Sequence, residues 1–311
     1  MPAPRPIPQE LSCGPFTAAQ ADSLGVSATM LSGRRFIRLF PRVWVTAAHE
    51  MSERDRVSAA RLSLPEGAQP SHSTRLRLLG YDDLAELPYH FVIDRDQKIV
   101  SDHIRLHRTI LMPSTDADGV TPAAAFVQSC ETMRLIDLIK IGDWLLHEGH
   151  ASLDEIGQIL VEQSWRPGAS QCEIVLPLLD ARSRSPKESE VRAILSVVGL
   201  PLPDVNVDLV VKGRWLGCVD LLYLTWLYVV EYEGRQHAFD TAQFNGDIGR
   251  YGRFRRNDVT YLQVTQEKLA RPRALVREVH ADLVALGYEG PPPVFGRDYR
   301  ALFRKIRSRR P

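Results

Sequence analysis

The segment Leu216–Tyr232 constrains this 311-residue chain most: it is an apolar run that carries Asp220 inside it and closes on Glu231. An ionised carboxylate in such surroundings is costly unless something pairs with it. The run is shorter than the ~18–20 residues needed to span a bilayer. A short turn near Leu224–Trp226 divides it, so it reads as two buried strands, 216–223 and 227–233. Side chains alternate along a strand, which puts Glu231 and Glu233 on one face and turns Tyr232 away. A hairpin with this turn brings Asp220 within cross-strand or diagonal reach of Glu231. Glu188, on the preceding helix, closes the cluster from the side.

Carboxylates packed this closely repel one another unless one takes up a proton or a divalent cation intervenes. Oxygen ligands of this kind suit Mg²⁺ or Mn²⁺, with Asp220 and Glu231 as the expected metal ligands. The flanking segments give the cluster a scaffold. Ser185 caps a helix with Pro186 in its first turn, Val191, Ile194, Leu195 and Val198 form its apolar stripe, and Gly199 ends it. A strand at 204–211 precedes the two just described. A helix at 239–255, a strand at 259–264 and a helix at 272–287 follow. The order αβββαβα predicts a mixed sheet flanked by helices. Arg250 and Arg253 lie three residues apart on the helix before the last strand, a spacing suited to phosphate contacts.

The residues SPKESEVRAIL, VDLLYLTWLYVVEYEGRQH and DIGRYGRFRRNDVTYLQVT resemble the PD-(D/E)XK nuclease superfamily, and within it the Vsr-like branch. The likeness covers about residues 180–286. It implies a restriction-endonuclease-like αβββαβ domain in which Asp220 matches the motif's Asp, Glu231 the following acid and Glu188 the helix carboxylate. Glu233, Gly234 and His237 match the acid, Gly and His that commonly follow the strand. The implied chemistry is metal-dependent phosphodiester hydrolysis, with Asp220 and Glu231 on the cation, Glu188 supporting it, and Glu233 or His237 taking the proton of the attacking water. One departure stands out. The superfamily's third motif position is usually Lys and here it is Glu233, which cannot supply a positive charge to the water. An acid there is common in the Vsr-like branch. The alternative is an antitoxin-like transcriptional regulator whose nuclease fold has lost activity, and a protein-interaction scaffold is a third reading.

The first half of the chain has a different layout. Thr17 and Gln20 form a capping-box pattern for a helix over 17–24, Gly25 supplies a tight turn, and Ser27 caps a second helix to about Ser32. Residues Phe36–Val45, broken by Pro41, are β-prone. Helix, turn, helix and β-ribbon is the order of a winged helix-turn-helix, and residues 14–161 are similar in layout to the AbiEi-type antitoxin regulators, which join such a module to an α/β lobe. Arg34, Arg35, Arg38 and Arg42 would place four positive charges where DNA phosphates lie. Further helices are expected at 53–64 and 72–80, strands at 89–94 and 103–112, a loop at 113–122, two helices within 123–161 divided near Gly149, and a linker at 164–171.

The resulting organisation is α/β throughout: a winged-helix and accessory α/β lobe over 11–165, a nuclease-fold domain over 180–290, and a basic tail over 291–311. The net charge is +1, yet Arg297–Pro311 carries seven Lys/Arg against one Asp, which points to a polyanionic partner. DNA is the expected partner, with a toxin or repair factor beside it and no membrane. Four cysteines without a CxxC pair give neither a zinc signature nor a disulfide framework, and MPAPRPIPQE has no apolar core of a secretory signal, so the expected location is cytoplasmic. No P-loop, GxGxxG, GxSxG or HExxH occurs.

Overall fold

Local capping chemistry sets the first elements. The computed structural model describes residues 6–233 and 250–307, and in it the chain divides into two units, 1–128 and 129–311. Strand β1 (Phe16–Thr17) leads into α1 (Ala18–Ser23), where the Thr17 hydroxyl accepts from Gln20 N while the Gln20 side chain accepts from Thr17 N. Gly25, at φ 74°, turns the chain, and Ser27 caps α2 (Ala28–Leu31), a single turn that stops short of Ser32. Strands β2 (Phe36–Phe40) and β3 (Val43–Thr46) pair antiparallel, with β1 on the far edge of β3. Leu11, Phe16, Ala21, Val26, Leu31 and Phe36 bury together beneath this small assembly.

The rest of the first unit is built on a second sheet. Helix α3 (Glu53–Leu62) carries a Ser52/Asp55 capping box. It is followed by β4 (Gln69–Pro70), α4 (His72–Leu78), β5 (Tyr89–Ile93) and β6 (Ile104–Arg108). The sheet order is β4-β5-β6, with β5 and β6 parallel. Val57, Ala60, Tyr89, Phe91, Ile93 and Ile104 form its core. The expected loop at 113–122 contains a hairpin, β7 (Thr115–Asp116) and β8 (Gly119–Val120). Arg75, buried on α4, holds it through Asp116 and the Val120 carbonyl. Helix α5 (Pro122–Ser129) closes the unit.

Three helices rather than two fill 122–162, because the chain breaks after Ser129 as well as near Gly149: α5, α6 (Leu135–His147) and α7 (Leu153–Glu162). The last three residues of the expected linker, 169–171, are helical and open α8 (Ala169–Val175). Helix α6 packs on α9 (Pro186–Ser196), so this helical segment belongs to the same unit as the C-terminal sheet. Asp143, fully buried on α6, accepts from Arg192 Nη2 and Asp180 N, each at 2.7 Å.

The C-terminal sheet is four-stranded and mixed, in the order β12-β11-β10-β9. Strands β9 (Asp204–Val211), β10 (Arg214–Tyr223) and β11 (Tyr228–Tyr232) form an antiparallel meander. Helix α10, described over residues 250–256, precedes β12 (Thr260–Val264), which lies parallel to β11. Then come α11 (Gln266–Leu269), α12 (Pro272–Ala285) and α13 (Arg297–Leu302). The segment expected as a basic tail contains a helix that is partly buried. Tyr299 and Leu302 are 4% and 0% exposed, and Leu135 N donates to Arg304 O. Apolar side chains three residues apart bury one face of α13 and leave its arginines outward. Among the described residues no helix is long and apolar enough to cross a membrane.

Candidate functional site

The antiparallel register of β10 and β11 pairs Leu221 with Val230, so the next position outward sets Asp220 against Glu231. Asp220 Oδ2 accepts from Tyr232 N at 2.9 Å, which ties the side chain to β11. On the other side of Asp220 stands Asn206, between the pairs Val205–Leu221 and Val207–Val219. Glu231 pairs in turn with Gln263 on β12. A polar row, Asn206–Asp220–Glu231–Gln263, thus crosses an otherwise apolar sheet. Asn206 sits at φ 47°, a left-handed conformation that Asn tolerates better than most residues. Its amide donates to Glu188 Oε2 at 2.8 Å. Glu188 also accepts from Arg184 N at 3.0 Å, which ties the start of α9 to the row.

Charge crowding at this row is evident in Asp220. Burial, then the nearby Glu188 carboxylate, then Glu231, push its carboxyl from the ordinary 3.8 up to about 7, while the Tyr232 N–H and Arg250 pull against them. Glu231, 6% exposed, is differently placed. The Arg250 guanidinium donates to its Oε1, and Tyr251 Oη donates to its Oε2 at 3.1 Å. Burial and the Glu231 charge keep the Tyr251 hydroxyl protonated. Arg250 also reaches the Cys218 carbonyl. It passes over Gly217, where a Cβ would meet Arg250 Nε at 3.3 Å and where φ is 143°; glycine is what allows that approach.

The structure therefore assembles Glu188, Asp220 and Glu231 at one place on the sheet. Glu233 follows β11, exposed, its backbone N–H donating to Val264 O. His237 lies outside the described residues. Arg250 and Arg253 do not share a role: Arg250 turns inward to Glu231, whereas Arg253 is exposed. Asn206, Gln263 and Tyr251 join the site without having been expected there. The positive-φ Asn206 carried no sequence signal inside a β-prone run, and Gln263 and Tyr251 enter only through register and helix placement.

The N-terminal arginines lie along the ribbon. Arg34 and Arg38 are exposed, Arg38 lies 5.6 Å over the Trp44 ring, and Arg35 lies 5.9 Å over Phe36. Arg42 occupies the β2–β3 turn at φ 64°, its carbonyl accepting from Ala18 N.

A different group meets a stricter geometric condition. Among the described residues, the one set of three His, Cys, Asp or Glu side chains whose ligand atoms lie within 4.8 Å of one another is His72, His90 and His107. Glu188, Asp220 and Glu231 form no such set in this structure.

No family model matches the chain. It is similar to uncharacterized proteins of two Mycobacterium tuberculosis strains, CDC 1551 / Oshkosh and H37Rv, at 23% identity over 235 residues, covering 74% of this chain and 87% of theirs. The likeness therefore extends across both units of the fold and carries no activity with it.

Proposed function

We propose that the chain is a DNA-binding protein whose C-terminal sheet hydrolyses phosphodiester bonds with a divalent cation. One observation carries this reading: Asp220, Glu231 and Glu188 lie together on an αβββαβ scaffold, and burial first, then the charges of Glu188 and Glu231, raise Asp220 to about 7. Hard oxygen donors crowded to this degree fit Mg²⁺ or Mn²⁺ in kind, since a cation relieves the repulsion that a proton otherwise must. Asp220 and Glu231 would hold the ion and Glu188 would support it. When bound, the ion would polarise the scissile phosphate and lower the pKa of a water. Glu233, exposed at the end of β11, would accept that water's proton, and His237 is the other residue suited to it. Arg250 steadies Glu231, and Arg253 faces outward where a phosphate would pass. In the first unit, Arg34, Arg35, Arg38 and Arg42 on a winged-helix-like ribbon would contact the DNA backbone.

A specific observation favours a second reading. The Arg250 guanidinium already neutralises Glu231, which is how a retired nuclease fold would stabilise its emptied acids in an antitoxin-like regulator. Incubating the full chain with supercoiled, linear, mismatched and single-stranded DNA in Mg²⁺ or Mn²⁺ separates the two. The enzyme cuts at least one substrate, and Asp220→Asn abolishes cutting while DNA retention persists or tightens. Absence of cleavage together with no Mg²⁺ or Mn²⁺ uptake by calorimetry establishes the regulator. Cleavage that survives in Asp220→Asn assigns the chemistry elsewhere.

A further inference from the structure

The β4-β5-β6 sheet of the first unit has two unlike faces. Tyr89, Phe91, Ile93, Ile104 and Leu106 belong to the apolar core. Alternation then places His90, Val92, Arg105 and His107 on the opposite face. Val92 pairs with His107 across the parallel register, so His90 and His107 sit diagonally on adjacent strands. Helix α4 begins against them. Ser71 N donates to His90 O at 3.0 Å, and His90 N donates to Thr74 Oγ1 at 2.7 Å, which holds His72 beside the pair. Three separate elements thus deliver three imidazoles to one point.

The rings are arranged unlike ordinary core histidines. His90 Nδ1 and His107 Nε2 are 2.9 Å apart, and the His72 ring stacks on His107 at 3.9 Å between centroids. His72 is 4% exposed, and its Nδ1 lies 2.9 Å from Ser71 Oγ, which orients the ring and leaves Nε2 for another partner. Among the described residues no carboxylate hydrogen-bonds to any of the three rings. His72 also holds φ 48°, an uncommon conformation for a non-glycine residue and one that clusters at functional sites.

We infer that His72, His90 and His107 form a three-imidazole site for a divalent transition metal, Zn²⁺ foremost, with a fourth position open to water or an anion. Imidazole donors suit Zn²⁺ and its neighbours and do not suit Mg²⁺, so this site is chemically distinct from the carboxylate row. Three protein ligands with an open fourth position is the arrangement of catalytic rather than structural zinc. Zn–N bonds of about 2.0–2.1 Å in a tetrahedron place nitrogens about 3.3 Å apart, so the His90–His107 pair needs to open by less than about half an ångström. In that pair one ring's N–H faces the other ring's lone pair. Metal entry moves this hydrogen to the other nitrogen of its own ring, a tautomer change of a neutral imidazole that leaves the proton count unchanged. Burial, then Arg105 for His90 and the His90 ring followed by Arg105 for His107, lower both imidazoles to about 4, consistent with neutral rings. Arg105, across the register from His90, adds a positive charge nearby and favours an anionic fourth ligand such as hydroxide.

The test uses the full chain without a polyhistidine tag, stripped with chelator and then titrated with Zn²⁺ by calorimetry and with Co²⁺ by visible absorption. One equivalent of Zn²⁺ binds, and Co²⁺ gives the intense visible bands of a tetrahedral site. His90→Gln and His107→Gln each weaken Zn²⁺ binding at least ~100-fold and remove the Co²⁺ bands, while His280→Gln leaves both intact. Circular dichroism of each variant reports whether it has folded. The inference is overturned by wild-type protein that takes up no stoichiometric Zn²⁺, a result needing no variant, or by uptake that His90→Gln and His107→Gln leave undiminished. A folded variant that loses cobalt colour but still cuts DNA separates this site from the carboxylate row.

Discussion

Asp220→Asn tests whether the carboxylate row is strained by its own charge. In the folded chain the Asp220 carboxyl is raised from 3.8 to about 7. At 1.36 kcal/mol per unit, keeping it ionised at high pH costs the fold about 4 kcal/mol as an upper bound. The direction follows from proton linkage. Between about pH 4 and pH 7 the folded state holds a proton that the unfolded state has released, so stability falls as pH rises through this window and levels off above it. Asn is nearly isosteric and cannot ionise. Its amide oxygen still accepts from Tyr232 N, and the loss of the charge-assisted part of that bond and of the attraction to Arg250 is already contained in the net shift. Relaxation of the row and water penetration bring the realised gain below the upper bound. The variant should therefore be more stable than wild type by about 1–3 kcal/mol near pH 8, with the difference shrinking to about zero near pH 4. Urea denaturation in EDTA at several pH values measures it. Replacing EDTA with Mg²⁺ should narrow the gap at high pH, because a bound cation removes the same repulsion from wild type alone. A variant less stable than wild type near pH 8, or a difference that does not vary with pH, would refute the reasoning.

Other consequences are more direct. Replacing Arg34, Arg35, Arg38 and Arg42 by Gln should flatten the salt dependence of duplex-DNA affinity by up to ~0.9 per lost phosphate contact, read by fluorescence anisotropy over a salt series; an unchanged slope removes the ribbon from the interface. Truncation after Gly296 should destabilise the chain by at least about 3 kcal/mol, since Tyr299 and Leu302 leave the core, and a truncated chain with wild-type melting would contradict the docked position of α13. Arg192→Met strands the fully buried Asp143 and should cost about 3–5 kcal/mol, much of it recovered by adding Asp143→Leu. Chemical denaturation of the two single variants and the double variant decides that point.

Much of the secondary structure is written in neighbouring residues. Thr17 with Gln20, Ser27, and Ser185 before Pro186 each start a helix through bonds made within four residues, and each occurs where its pattern places it. Strand β9 occupies Asp204–Val211, the span its β-prone run gives. The pairing of Asp220 with Glu231 was legible too, because a short turn, four residues from Leu224 to Leu227, leaves a hairpin few registers. The helix at Ala169–Val175 was hidden behind a Pro- and Gly-bearing stretch, and α13 behind its charge, since burial of Tyr299 and Leu302 depends on the surface that α6 and α9 present. Arg250 looked like an outward phosphate contact from its spacing, yet a guanidinium beside a buried carboxylate gains more by turning inward. The three histidines show the limit most plainly. Positions 72, 90 and 107 have no motif spacing, and only the parallel register of β5 with β6 and the docking of α4 bring them together. Short-range hydrogen bonds act between residues close in sequence; side chains from three elements converge only when the packed sheet decides which faces meet.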